Sequence, residues 1–300
     1  MDNKNLKLAL CVGIPAAIIA AVVVLFLLNS GGGGSKSYME VVPSSSVFAV
    51  KGNMGALLQK SEVLENETVQ ELYSKLVDEA PEEFQQLLND LYADPNSSGI
   101  NVNEPVVFAI TQVEPFNGVV VISLNDADTF KELLNEVSEG DVEIEEEDGV
   151  NVIDMGGLNT AGVAFDDEKL VIAFTEIDYD NRDNTVDVMA YFQLESDEMA
   201  VNDDAFGEFF ASNADFVAFG QAAPIAEQLS EGPNARRMRD QIELLETLGD
   251  VTYFSSLNFG DGCIESVQKI YTEEGKNSLK FIFDIIFEKV GDIMSSGFRF

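Results

Sequence analysis

Residues 8–28 form one apolar run that ends in Val22, Val23, Val24, Leu25, Phe26, Leu27 and Leu28. A bilayer core takes about 20 such residues as a helix, because backbone amides find no water in hydrocarbon and must bond to one another. The run therefore predicts a transmembrane helix, with Gly13 and Pro15 bending its first turns. Lys4 and Lys7 precede it, which places the short N-terminus, residues 1–7, in the cytoplasm and everything beyond the helix outside it. A secretory signal shares the basic start, but its apolar stretch is only about 7–15 residues and ends at a small-residue cleavage site. Asn29, Ser30 and the glycines at 31–34 offer no such site, so an uncleaved anchor is expected. Residues 29–37 read as a flexible Gly/Ser linker.

Beyond the linker the period of the apolar positions alternates between two values. Residues 46–51, Ser-Val-Phe-Ala-Val-Lys, read as a buried strand. Val69, Leu72, Tyr73, Leu76 and Val77 then recur at helical spacing, as do Phe84, Leu87, Leu88 and Leu91 behind Pro81. Residues 106–113 and 118–124 are short and β-branched, which predicts a hairpin. Asn125 and Asp126 supply cap oxygens for a helix that buries Phe130, Leu133, Leu134 and Val137. Val142 and Ile144 alternate with glutamates and lead through Asp148-Gly149 to Val150 and Val152, a second hairpin. Residues 161–165 and 170–175 give a third, around Asp166 and Asp167. Consecutive meandering strands with interspersed helices predict an α+β fold, an antiparallel sheet or sheets with helices on one side.

That reading assigns residues 38–177 to a first α+β half and 178–300 to a second. The second half echoes the first: Asp215-Phe-Val-Ala-Phe-Gly followed by Ile225, Ala226 and Leu229 matches the strand and helix that open the domain. Residues 251–258 and 263–271 then pair as 106–113 and 118–124 do. The shared letters are generic strand residues, so duplication and two ordinary strand-helix units stay equally open, and shared topology is the test. Near the end, Ile282, Ile285, Ile286 and Val290 recur at helical spacing and predict a helix over 279–290.

Charge narrows the partners. The chain has 17 basic and 54 acidic residues, a net −37; residues 1–35 hold Asp2, Lys4 and Lys7, so the part beyond residue 35 carries −38. Such a surface repels phosphate backbones, so no nucleic-acid partner is expected, and its bland meaning is solubility. The chain has no histidine, which removes Ser-His and Cys-His activation and every histidine-bearing zinc site. Cys11 falls in the anchor and Cys263 in the outer domain, so no disulfide within the chain is expected.

Three segments in series carry a likeness to a known family. They are Tyr38-Met-Glu-Val-Val-Pro-Ser-Ser-Ser-Val-Phe, Ser98-Gly-Ile-Asn-Val-Asn-Glu-Pro-Val-Val-Phe, and Val201-Asn-Asp-Asp-Ala-Phe-Gly-Glu-Phe-Phe-Ala-Ser-Asn-Ala-Asp. Their order and spacing resemble an uncharacterised family of Bacteroidota envelope lipoproteins, domain of unknown function 4836, over most of residues 38–271. The resemblance implies an envelope address and an α+β domain, with no catalytic residues to transfer. Family members commonly carry a lipidated cysteine and a longer C-terminal part, whereas this chain has an apolar span and stops early.

Asp94, Asn96 and Ser98 before Gly99 resemble the opening of a calcium loop, but the bidentate Glu due six residues after the glycine is replaced by Pro105, with Glu104 one place early. These four are the metal candidates, and calcium the one cofactor they would hold. In the run Glu143, Glu145, Glu146, Glu147 and Asp148, alternation aims Glu143 and Glu145 at solvent and puts the rest in a turn, a solvated edge, and Asp178, Asp180, Asp183 and Asp187 read as an acidic connection. Glycoside cleavage needs two carboxylates at a fixed separation, which spacing alone does not reveal, and without tryptophan a sugar-stacking platform has no support. The expected function is thus a membrane-anchored, extracytoplasmic binding or envelope-assembly module with a protein or small-ligand partner and no catalytic residue. A carboxylate-based or metal-dependent hydrolase is the alternative.

Overall fold

The computed structural model describes residues 37–53, 94–138, 142–153, 160–175, 186–260 and 263–272, together with Gln70, Ser74, Gln85 and Asn89. The β-branched runs form ten strands: β1 (Phe48–Gly52), β2 (Val106–Val113), β3 (Phe116–Ser123), β4 (Ile144–Glu147), β5 (Val150–Ile153), β6 (Ala161–Phe165), β7 (Lys169–Thr175), β8 (Phe216–Gln221), β9 (Val251–Gly260) and β10 (Cys263–Thr272). All join one sheet in the order β10-β9-β8-β1-β2-β3-β7-β6-β5-β4, and every neighbouring pair is antiparallel. Among the described residues four α-helices have set bounds: α1 (Ala127–Val137), α2 (Gly207–Ala211), α3 (Ala222–Glu231) and α4 (Arg239–Leu248). The class is α+β.

Strand alternation splits the core into two layers. On β3, Val119 and Val121 face one layer while Ile122 faces the other; on β7, Val171 and Ala173 oppose Leu170 and Ile172. Phe130 and Leu134 of α1 close the second layer, with Phe130 edge-on to Phe165 at 5.1 Å. Asp126 starts that helix as expected, its carboxylate accepting from the Thr129 amide at 2.9 Å.

The first layer corrects the expectation of helices on one side. It is roofed by residues 37–47 and 186–215, which hold the one-turn helix α2 and several 3-10 turns. These two stretches are laced together: the Ser44 amide donates to the Glu198 carbonyl at 2.7 Å, and the Ala200 amide to the Val42 carbonyl at 2.8 Å. Small Ala and Val side chains on the sheet leave room that Tyr38, Phe206, Phe209 and Phe210 fill, and the Phe206 and Phe219 rings lie 4.1 Å apart. Helical periodicity is blind to such a roof, because its apolar residues sit on turns.

The β1–β8 pair joins the two strand-helix units, with Val50 opposite Ala218. From β8 the chain runs through α3 and α4 to the β9–β10 hairpin, and β9 pairs with β8. From β1 it runs through residues 54–93 to the β2–β3 hairpin, and β2 pairs with β1. Gln70, Ser74, Gln85 and Asn89 in that interval are helical. Each hairpin therefore lies outward of its neighbour in the β1–β8 pair, β2 and β3 beyond β1 and β9 and β10 beyond β8. Residues 38–177 and 178–300 contribute to one continuous sheet.

Among the described residues no helix is long and apolar enough to cross a membrane. The apolar run at 8–28 and the helix expected over 279–290 lie outside the described residues.

Candidate ligand cleft

At one end of β2, β3 and β7 the ladder is interrupted. The β2–β3 register shifts between Ile110 and Gln112, which leaves Thr111 as an extra residue and turns backbone groups out of the sheet. Gln228 on α3 takes up two of them: its Oε1 accepts from the Val113 amide at 2.9 Å and its Nε2 donates to the Thr111 carbonyl at 3.1 Å. The following turn, with a cis Glu114-Pro115 bond, docks on the α3–α4 connection. There Glu114 Oε1 accepts from the Asn234 amide at 2.9 Å and from its Nδ2 at 2.6 Å. The bulge thus ties the first hairpin to the second strand-helix unit.

The same bulge opens a cleft of about 290 Å³ lined by Thr111, Gln112, Asn117, Thr175, Asp187 and Tyr191, among others. Its floor is a directional hydrogen-bond chain. The Thr175 hydroxyl donates to Asn117 Oδ1, Asn117 Nδ2 donates to Gln112 Oε1 at 2.7 Å, and Gln112 Nε2 donates to the Glu114 carbonyl at 3.2 Å. Phe174 forms the apolar wall, held by a stacked Phe108 at 6.0 Å and a tilted Phe116 at 5.7 Å. On the rim, Asp187 Oδ1 accepts from the Met189 and Ala190 amides at 3.1 and 3.3 Å, which fixes its carboxylate at the head of a 3-10 turn. Tyr191 ends that turn, and burial pushes its phenol pKa up, so it stays a neutral O–H.

A second, more open hollow of about 410 Å³ lies beside β9 and β10, lined by Gln221, Pro224, Asp250, Thr252 and Tyr271. Each of these two clefts has a single carboxylate in its lining, Asp187 in one and Asp250 in the other.

The four metal candidates are arranged otherwise. Asp94 is exposed, and Asn96 lies within the 3-10 turn Pro95–Ser98. The buried Ser98 hydroxyl accepts from the Ile100 amide at 3.1 Å. Glu104 is only 7% exposed, and desolvation pushes its carboxyl pKa up. Among the described residues no three His, Cys, Asp or Glu side chains gather as a metal site. Gly99 has a packing role: its φ is +78°, and a Cβ there would lie 2.3 Å from the Asp126 carbonyl at the start of α1. Glu143 and Glu145 are exposed, as the alternation predicts, whereas Glu146 and Glu147, expected in the turn, are exposed residues of β4 itself. Asp178, Asp180 and Asp183 lie outside the described residues, whereas Asp187 is the cleft carboxylate.

Besides Glu114, two further buried charges among the described residues have no signal in the sequence. Lys51 is 4% exposed; its Nζ donates to the Ser212 carbonyl at 2.7 Å and to the Phe210 carbonyl at 3.3 Å, and lies 5.5 Å from the Phe209 ring centre. Asp215 is 3% exposed and accepts from the Phe259 amide at 2.7 Å. Both satisfy backbone groups where the roof meets the sheet, a structural role. The cleft residues were also missed, because Thr111 and Gln112 register in sequence only as a polar break at the end of an apolar run.

The fold and cleft define an α+β domain that presents neutral amides and hydroxyls from a rigid sheet. The chain belongs to the family described as domain of unknown function DUF4836, whose model matches residues 38–296. No curated protein and no solved structure gives a significant match. The three segments that carried the resemblance converge on the core: Tyr38, Val42, Phe206 and Phe209 are buried in the roofed layer, and Gly99 abuts α1. They specify the fold and leave the cleft to other residues.

Proposed function

We propose that the chain is an envelope module of a Bacteroidota cell, anchored through residues 8–28, whose acidic domain lies outside the cytoplasm and binds a small ligand without transforming it. The cleft carries this reading: one fixed carboxylate, Asp187, stands among amides and hydroxyls that can hold a ligand by hydrogen bonds. A carboxylate hydrolase needs a second acid at the reacting bond, and the lining of this cleft holds none. The test is turnover by the full chain on a broad set of glycosides and esters. The binding reading expects no hydrolysis above a heat-treated control; robust hydrolysis abolished by replacing two acids would overturn it.

A second reading, assembly with an envelope protein, draws on β10. This strand ends the sheet among the described residues, and Ile264 and Val267 are 64% and 47% exposed on its two faces. An open strand edge can accept a partner strand. Pull-down from gently solubilised membranes tests it: a specific partner lost on Val267→Lys supports assembly, and a partner retained by that variant refutes it.

A further inference from the structure

The cleft at the β2 bulge has a donor and acceptor pattern that selects among ligand chemistries, an inference that rests on the binding reading above. The floor chain runs Thr175 to Asn117 to Gln112 to the Glu114 carbonyl. It uses one N–H of each amide, so Asn117 and Gln112 each keep a second N–H, and Thr175 Oγ1 keeps its lone pairs. Asp187 uses Oδ1 for two backbone amides, which leaves Oδ2 as a strong acceptor at the rim. Tyr191, held neutral by burial, adds an O–H.

Three ligand classes meet this pattern differently. A phosphate or carboxylate would face Asp187 in a chain that carries −37 overall. An ammonium has donors only, so it would satisfy Asp187 and leave the amide N–H groups of the floor unpaired, at the cost of a lost hydrogen bond each. A neutral polyol has donors and acceptors on adjacent carbons: one hydroxyl can donate to Asp187 Oδ2 while its neighbour accepts from an amide. The volume, about 290 Å³, lies at the lower end of ordinary ligand clefts and suits a single ring. Phe174 is already packed by Phe108 and Phe116, so recognition falls to hydrogen bonds and a stacking tryptophan is unnecessary.

We propose that this cleft binds a neutral, ring-sized polyhydroxylated ligand, a sugar unit without charge, with Asp187 and the Asn117–Gln112 pair as the recognising groups.

The test uses the full chain in detergent micelles and three probes matched in ring and differing in charge: glucose, glucosamine and glucose 6-phosphate, with galactose, mannose and N-acetylglucosamine extending the neutral set. Ligand-observed NMR and calorimetry give the affinities. At least one neutral sugar should bind saturably, more tightly than glucosamine and with glucose 6-phosphate excluded. Asp187→Asn keeps an oxygen to cap the Met189 turn and should weaken binding about tenfold, the scale of one charge-assisted hydrogen bond. Thr175→Val should weaken it as well, and Thr175→Ser should restore it. The proposal falls if no neutral sugar saturates below about 10 mM, if glucosamine or the phosphate binds best, or if Asp187→Asn leaves the affinity within about twofold of wild type, a difference below 0.5 kcal/mol. If Thr175→Val does not fold, Asp187→Asn alone decides. Absence of sugar binding together with absence of hydrolysis would sink the ligand class and leave a non-catalytic tethered module standing.

Discussion

Strands β3 and β10 hold equivalent places relative to the β1–β8 pair, each the outer member of the hairpin beyond it, yet their surroundings are opposite. β3 is flanked by β7 and covered on both faces, with Val119 and Val121 fully buried. β10 is exposed along most of its ten residues, and Val267 keeps 47% of its surface. The strand order sets which strands pair; burial is set by what packs around them, the meander β4–β7 and α1 on the β3 side, whereas the roof reaches both wings through Phe219 and Phe254. The same β-branched residues are structural on one wing and available on the other.

The largest effect separates these wings directly. Val119→Asp buries an unpaired carboxylate between sheet and roof and is expected to cost at least about 4 kcal/mol, enough to unfold a domain of ordinary stability. Val267→Asp on β10 should stay within about 0.5 kcal/mol. Chemical denaturation of both variants decides, and equal losses would break the comparison. A second pair of sites sharpens it. Gly99 and Gly249 precede β2 and β9, with φ of +78° and +65°. A Cβ at Gly99 would clash with the Asp126 carbonyl and Phe130 amide, whereas a Cβ at Gly249 meets nothing within 4 Å. Gly99→Ala should therefore cost at least about 3 kcal/mol and Gly249→Ala only the backbone strain, about 1–2 kcal/mol. Smaller again is Asp126→Ala, which removes the α1 cap on the covered wing and should cost about 1 kcal/mol.

The smallest effects are electrostatic and opposite in sign. On the open wing, hydrogen bonds from Lys269 and Tyr271 hold the Glu208 carboxyl below its usual range. Its contribution is present above the unfolded-state pKa and is lost as pH falls through the depressed folded value. Because this pair is exposed, salt should weaken it. On the covered wing, burial raises Glu104, so its contribution is fully present at low pH and is lost as pH rises through the raised folded value. NMR titration should show Glu104 protonating at higher pH than Glu208. Glu208→Gln should lower the Tyr271 phenol pKa, because the Glu208 hydrogen bond is the main cause of its upward shift.

The strands were legible because each is a short β-branched run bounded by turns, and α1 was legible because a cap precedes an apolar stripe. The roof was hidden: Tyr38, Met189 and Phe206 lie on 3-10 turns, where no single period links them. The cleft was hidden for a related reason. It depends on a one-residue register shift at Thr111, which joins residues more than 60 positions apart, from Thr111 to Thr175 and Asp187. Gly99 was noticed for its residue type, but its role comes from contact with α1 and belongs to no local loop.

The claim on which the functional account turns is that the acidic domain is held at a membrane with its cleft facing outward. Carbonate-washed membranes from cells expressing the full chain, with protease added beforehand to cells whose outer membrane has been permeabilised, test it directly. The account predicts that the chain stays with the lipid and that external protease removes the acidic domain. Recovery of the intact chain in the wash would contradict it.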